Sequence, residues 1–235
     1  MENSCLILDL GATSYLKAME IQSKLHNLIW TNKLPNTLLT LEHPHLITIG
    51  KTGSCQDIKI SSKIISDAGI KIIRTNRGGK VTYHGPGQMI TYPIINLRKL
   101  NLGPQKYIFK IEDTIIKTLS EFGVASNRSA GNPGVWVQDA KIAAVGVKIS
   151  QGITTHGFSI NLNPNLSYFD FIVPCGIPDK SVCSLNSLGI KTIDLNYFRN
   201  TLIRNFGVVF NLSVETCSLD EINHMFNMKP NITCT

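Results

Sequence analysis

The sequence predicts an α+β fold with a mixed or antiparallel sheet. Three observations lead there. Short apolar runs separated by turn signals cluster into hairpins, two longer segments between them carry helical periodicity, and no Pro/Ser/Gly linker divides the 235 residues. One domain covering residues 1–235 is therefore expected. With 43% apolar and 17% charged residues, the chain can build a core and is not a disordered, collagen-like or coiled-coil sequence. No apolar run approaches the ~18 residues needed to span a bilayer. The start Met1-Glu2-Asn3-Ser4 lacks the basic region of a secretory signal, so a cytoplasmic protein is expected.

The elements follow in order. Residues 4–10 (SCLILDL) read as a first strand. Ser14 to Thr31 reads as a helix, with Ala18, Ile21, Leu25 and Leu28 at helical spacing. Residues 37–41 and 45–49 are strands interrupted by Pro44, and Glu42-His43-Pro44-His45 reads as a polar strand-to-turn junction. A short helix over 61–68 and a strand over 70–74 come next. Residues 77–88 form a glycine-rich loop feeding a strand at 89–96. The helix at 104–122 carries the clearest stripe (Ile108, Ile111, Ile115, Leu119, Phe122), which reads as core, and Gly123 stops it. Residues 134–138 and 141–150, joined at Asp139-Ala140, form a hairpin, and 154–162 adds a third strand. Pro174 to Pro178 is a constrained turn. A helix at 194–205, a strand near 206–211 and a short helix near 219–226 complete the chain.

Six scattered cysteines with no C-x-x-C pair point to reduced thiols and against both a disulfide framework and a zinc site. Charge is uneven. Residues 51–110 hold eleven basic and two acidic groups, or +9, while the whole chain is +7. An acidic partner fits such a block.

Three features carry chemistry. The segment Arg77-Gly78-Gly79-Lys80-Val81-Thr82-Tyr83-His84-Gly85-Pro86-Gly87-Gln88 has four glycines in twelve residues. They let backbone approach a ligand, and Arg77, Lys80, Tyr83 and His84 add polar groups, although the spacing fits neither a P-loop nor a dinucleotide fingerprint. Cys175 lies between Pro174 and Gly176, where a thiol is accessible. Lys141 opens the apolar run Ile142 to Val147; its position alone suggests an exposed turn lysine, but burial of that strand would desolvate it and favour a basic amine.

Taken in order, R-G-G-K-V-T-Y-H-G-P-G-Q, K-I-A-A-V-G-V-K-I, T-H-G-F-S-I-N-L-N and P-C-G-I resemble the lipoyl(octanoyl) transferases of the lipoate/biotin protein ligase superfamily. The resemblance runs from Thr37 to Leu188. It implies a central mixed sheet with flanking helices and a smaller second sheet. It implies transfer of an octanoyl group from acyl carrier protein to a lysine of a lipoyl domain, through a thioester on Cys175 with Lys141 as its basic partner. The acceptors implied are lipoyl domains of 2-oxoacid dehydrogenases and the glycine cleavage H protein. Arg77, Gly78, Gly79, Lys80, Val81, Thr82, Tyr83 and His84, with Ala144, Val145, Gly146, Gly157, Phe158 and Ser159, would bind substrate. A monomer is expected, with no cofactor or metal and no nucleic-acid or membrane partner. One departure stands out: after P-C-G-I the family carries an Arg and then a Thr-Ser-Leu-like run, where this chain has Lys180 and Cys183. The alternatives are an ATP-dependent lipoate ligase of the same superfamily and a basic RNA-binding module.

Overall fold

The computed structural model describes residues 3–173 and 181–225. A large mixed sheet has the order β12-β1-β2-β6-β10-β9-β8-β7, with a two-residue β11 on the margin of β9. Its strands are β1 (Ser4–Ala12), β2 (Asn36–Glu42), β6 (Gln88–Ile94), β7 (Asn127–Ser129), β8 (Asn132–Val137), β9 (Ala140–Ser150), β10 (Ile153–Asn161), β11 (Ser181–Val182) and β12 (Ser213–Thr216). A smaller sheet has β3 (Leu46–Ile49) between β4 (Lys71–Arg74) and β5 (Val81–His84). The helices are α1 (Tyr15–Trp30), α2 (Ser62–Asp67), α3 (Pro104–Glu121), α4 (Leu195–Phe210) and α5 (Leu219–Met225).

The large sheet is covered on both faces, which explains why every residue of β6, and all of β2 but Glu42, is buried. Side-chain alternation decides which helix each residue meets. Leu38 packs in the core that holds Ile111, Ile115 and Leu119 of α3 and Phe198, Leu202 and Phe206 of α4. Its neighbour Leu39 packs with Ala18, Ile21 and Leu25 of α1. A third cluster, with Ile47, Ile49, Val81, Tyr83, Phe169 and Ile172, lies under the small sheet. Local chemistry sets the helix starts. Ser14 caps α1 by accepting from the Lys17 amide, Pro104 opens α3, and the Asp194 carboxylate accepts from the Asn196 and Tyr197 amides of α4.

Three expectations need correction. The glycine-rich segment is not all loop, because Val81–His84 pairs with β3 as β5. No strand occupies 206–211: α4 continues to Phe210, since Leu202, Phe206 and Phe210 extend its buried stripe, and the strand begins at Ser213. Asn-Phe-Gly-Val-Val-Phe is short and apolar enough to fit either period. The hairpin turn sits at Gln138-Asp139, one residue early, with Gln138 at φ +52°. The Pro174–Pro178 turn lies outside the described residues. Among the described residues, no helix is long and apolar enough to cross a membrane.

Candidate active site

Backbone register brings the separate sequence blocks together. In the β9–β10 pair Ala144 faces Ser159, Val145 faces Phe158 and Gly146 faces Gly157. These residues form one wall of a cavity of about 300 Å³. Gly157 is required there, because a Cβ would stand 2.1 Å from the Thr91 carbonyl oxygen on β6. The opposite wall is the 77–84 segment. It docks onto β9 by a hydrogen bond from the Gly78 amide to the Val147 carbonyl, 2.9 Å.

Arg77 holds that second wall together. It is buried, and its guanidinium donates to the Thr48 carbonyl (2.8 Å) and hydroxyl (2.7 Å), the Lys80 carbonyl (2.9 Å) and the Gly78 carbonyl (2.9 Å). It therefore braces the loop on the small sheet while lining the cavity. Of the loop and strand residues expected at the site, Tyr83 alone does not line the cavity. Its side chain points to the other face of β5, where the hydroxyl is 2.6 Å from His45 Nδ1 and the ring stacks on Tyr168 at 5.0 Å. Alternation along β5 is the reason: His84 faces the cavity and Tyr83 cannot.

Lys141 is no exposed turn lysine. It is 7% exposed, lines the cavity, donates from Nζ to the Pro133 carbonyl at 3.2 Å, and sits 4.7 Å above the centre of the Trp136 ring. Cys175 and Lys180 lie outside the described residues. In β11, Ser181 pairs with Ala140 and Val182 with Lys141. Cys183 is buried in the main core, and burial pushes its thiol up to about 11, so it stays protonated at neutral pH.

Sequence reasoning missed several lining groups. Tyr15, Tyr92 and His156 line the cavity, as do Ile108, Gly131 and the first two residues of β8, Asn132 and Pro133. Ile108 belongs to the α3 stripe read as core; spacing alone cannot separate a cavity wall from packed interior. His156 stood inside the T-H-G-F-S block but was not singled out. His43, read as a polar junction, is 1% exposed and packs against His84 and Tyr92.

These histidines are neutral, and their partners fix their tautomers. His43 Nδ1 meets the Thr13 carbonyl at 2.6 Å and must donate, so Nε2 accepts from the Tyr92 hydroxyl at 2.8 Å. The Gln88 amide nitrogen donates to Tyr83 O and Asn161 Oδ1, which leaves its oxygen to accept from His84 Nδ1 at 3.2 Å. In neutral His84, Nε2 is then the acceptor. His156 Nε2 meets Asn76 Oδ1 at 2.7 Å. Burial lowers His43 to about 4; burial, then His43 and Arg77, lower His84 to about 3; burial, then Arg77, lower His156 to about 4. On and between the elements of the small sheet, Lys51, Lys59, Lys63, Lys71, Arg74 and Lys80 are exposed, and Lys80 lines the cavity.

Residues 14–207 match the family described as lipoyl protein ligase A/B catalytic domain. An octanoyltransferase of Solibacter usitatus is 41% identical over 214 residues, covering 91% of this chain and 96% of that protein. Among solved structures, a lipoate-protein ligase A bound with ATP superposes with a TM-score of 0.73 at 14% identity, covering 97% and 94% of the two chains. A structure of a Thermoplasma acidophilum lipoylation system, a bi-partite lipoate protein ligase and its E2 lipoyl domain, gives 0.71 at 16% identity, covering 93% and 88%.

Proposed function

This chain belongs to the lipoyl protein ligase A/B catalytic domain family and is an acyltransferase of the octanoyltransferase type, and on that premise we propose a two-step relay through Cys175. Octanoyl-acyl carrier protein is the donor, and a lysine of a lipoyl domain is the acceptor. Lipoyl domains of 2-oxoacid dehydrogenases and the glycine cleavage H protein fit that role.

In the first step Cys175 sulfur attacks the donor thioester carbonyl. The carbonyl–sulfur bond to the carrier breaks, and the proton shared by Cys175 and Lys141 leaves with the carrier thiol. One thioester replaces another, so little free energy is lost. In the second step the acceptor amine attacks the enzyme thioester. The amide forms, the Cys175 sulfur departs, and the amine's proton returns to the Cys175–Lys141 pair.

The observation that carries this reading is Lys141, buried at the edge of a cavity whose lining includes small and apolar residues of α3, β9 and β10. Ala144, Gly146 and Gly157 leave room for a chain, while Ile108, Val145 and Phe158 give it apolar contact. Burying seven or so acyl carbons at ~0.8 kcal/mol each supplies roughly 5 kcal/mol of binding. The exposed basic groups between Lys51 and Lys80 suit the acidic surface of a carrier protein and would speed encounter. Cys175 precedes β11, which pairs with the start of β9 beside Lys141, and this supports their meeting. We place the protein in the cytoplasm, working as a monomer. The free thiols Cys5, Cys55, Cys183 and Cys217 suit a reducing compartment.

Intact-protein mass spectrometry after mixing with octanoyl carrier protein tests the relay. The mass should rise by one octanoyl group, and hydroxylamine or Cys175→Ala should abolish the gain. An unchanged mass during turnover, or a requirement for ATP, would overturn the reading.

A further inference from the structure

A buried carboxylate outside the cavity bears on Lys141. Glu112 projects from α3 and is 4% exposed. Its Oε2 accepts from Arg128 Nε at 3.0 Å, and its Oε1 accepts from the Gly134 amide at 2.9 Å. That amide is the N–H of the peptide group whose carbonyl is Pro133 O, the acceptor of Lys141 Nζ at 3.2 Å. One peptide plane is thus gripped at both ends, by a carboxylate on its N–H and an amine on its C=O.

The plane has little freedom. Gly134 sits at φ +126°, and a Cβ there would lie 2.5 Å from the Ala143 carbonyl oxygen and 3.4 Å from Lys141 Cε. Only glycine suits that backbone, and the Lys141 stem packs directly beside it. Arg128 in turn is anchored on the Phe109 carbonyl at 2.9 Å, on the Asp113 carboxylate and over the Phe109 ring. The carboxylate therefore has a fixed position on α3.

Two effects reach Lys141 through this plane. A negative charge on the N–H polarises the amide and makes its oxygen a stronger acceptor. The same bond also sets where that oxygen points, and so where Nζ rests above Trp136.

We propose that Glu112 is a positioning residue for Lys141, acting through the Pro133–Gly134 peptide. The proposal rests on the reading of Lys141 as proton carrier. The plainer alternative is that Glu112 only satisfies a buried amide and ties β8 to α3, a role indifferent to the side chain at position 141.

A double-mutant cycle separates the two. Steady-state octanoyl transfer from the carrier would be measured for the natural enzyme, Glu112→Gln, Lys141→Ala and the double variant, with thermal melts alongside. Gln keeps the size and an acceptor oxygen but removes the charge. Expected is a fall in kcat of about tenfold with KM for the carrier little changed, and a change of less than about twofold when Lys141 is already Ala. Equal losses in both backgrounds, or an unchanged kcat, overturn the proposal and leave the reading of Lys141 standing. A Lys141→Ala enzyme at near-natural rate overturns that reading and the proposal with it. Should Glu112→Gln fail to fold, Arg128→Gln loosens the carboxylate and leaves the Gly134 bond in place. It should cost about threefold in kcat in the natural background alone, and the same loss beside Lys141→Ala overturns the proposal.

Discussion

The cavity wall made by β9 and β10 is held by backbone pairing, whereas the wall made by residues 77–84 adds to its backbone pairing with β3 one buried, charged side chain. On the first wall, consecutive cross-strand pairs put Ala144, Val145, Gly146, Gly157, Phe158 and Ser159 in place without any of them bonding through a charged group. On the second, the Arg77 guanidinium collects carbonyls from β3 and from its own loop. A wall set by register resists changes of side-chain polarity but not of side-chain volume. A wall braced by an arginine tolerates crowding better than it tolerates loss of that arginine. The histidines lie along the seam between them: His84 on β5, His156 on β10 and His43 just after β2.

The largest effect should come from acid, which strikes the seam. Each histidine is lowered in the folded state, to about 4 for His43 and His156 and about 3 for His84, so the native state binds fewer protons than the unfolded chain. The stability they support is complete above the unfolded value of about 6.5 and is lost as pH falls toward 4 and then 3. Each group withdraws on the order of 3 kcal/mol if fully titrated, and the three are too close to be additive. Urea midpoints measured from pH 7 to pH 4 should fall steeply below pH 6.5; a flat profile would mean that the seam is wet and its histidines ordinary.

The next effect is on the backbone-held wall. Gly157→Val forces carbon against the Thr91 carbonyl of β6 and should cost roughly 3 kcal/mol, read as a lower urea midpoint. Near-natural stability would show that β6 and β10 can separate without penalty. The smallest of the three falls on the other wall. Arg77→Met removes a donor from the carbonyls of Thr48, Gly78 and Lys80, the last of which keeps the Gly50 amide, for about 2 kcal/mol. Hydrogen exchange should quicken at residues 46–49 and 81–84 and not in β9 or β10. Uniform quickening across both sheets would erase the distinction between the walls.

The difference between the walls also explains what the sequence disclosed. Residues 144–146 and 157–159 stood in two blocks of alternating or small residues, and the register that joins them follows from a hairpin. The α+β class, β1, α1, α3 and the β8–β9–β10 group were legible for the same reason, since each has a period of its own. Tyr83 was misplaced because a segment with four glycines looks like loop, and in a loop the alternation that turns Tyr83 away from His84 does not apply. His43, Tyr92 and Tyr15 were invisible for a different reason. Tyr15 and Tyr92 reach the site only through tertiary packing, from the first turn of α1 and from β6, and His43 packs behind them. Glu112 was hidden more deeply still, being one carboxylate on an amphipathic helix whose partner amide lies 22 residues away.

The pairing of β1 with β12 has a consequence for how this protein comes off the ribosome. Ser4 is matched to Ser213 and Ile7 to Thr216, so β1 waits for a strand synthesised much later before its outer margin is filled. Until then β1 presents unsatisfied amides along that side, a template for the wrong neighbour. Contacts so distant in sequence are slow to form, and a nascent chain of this kind would profit from a chaperone during the interval.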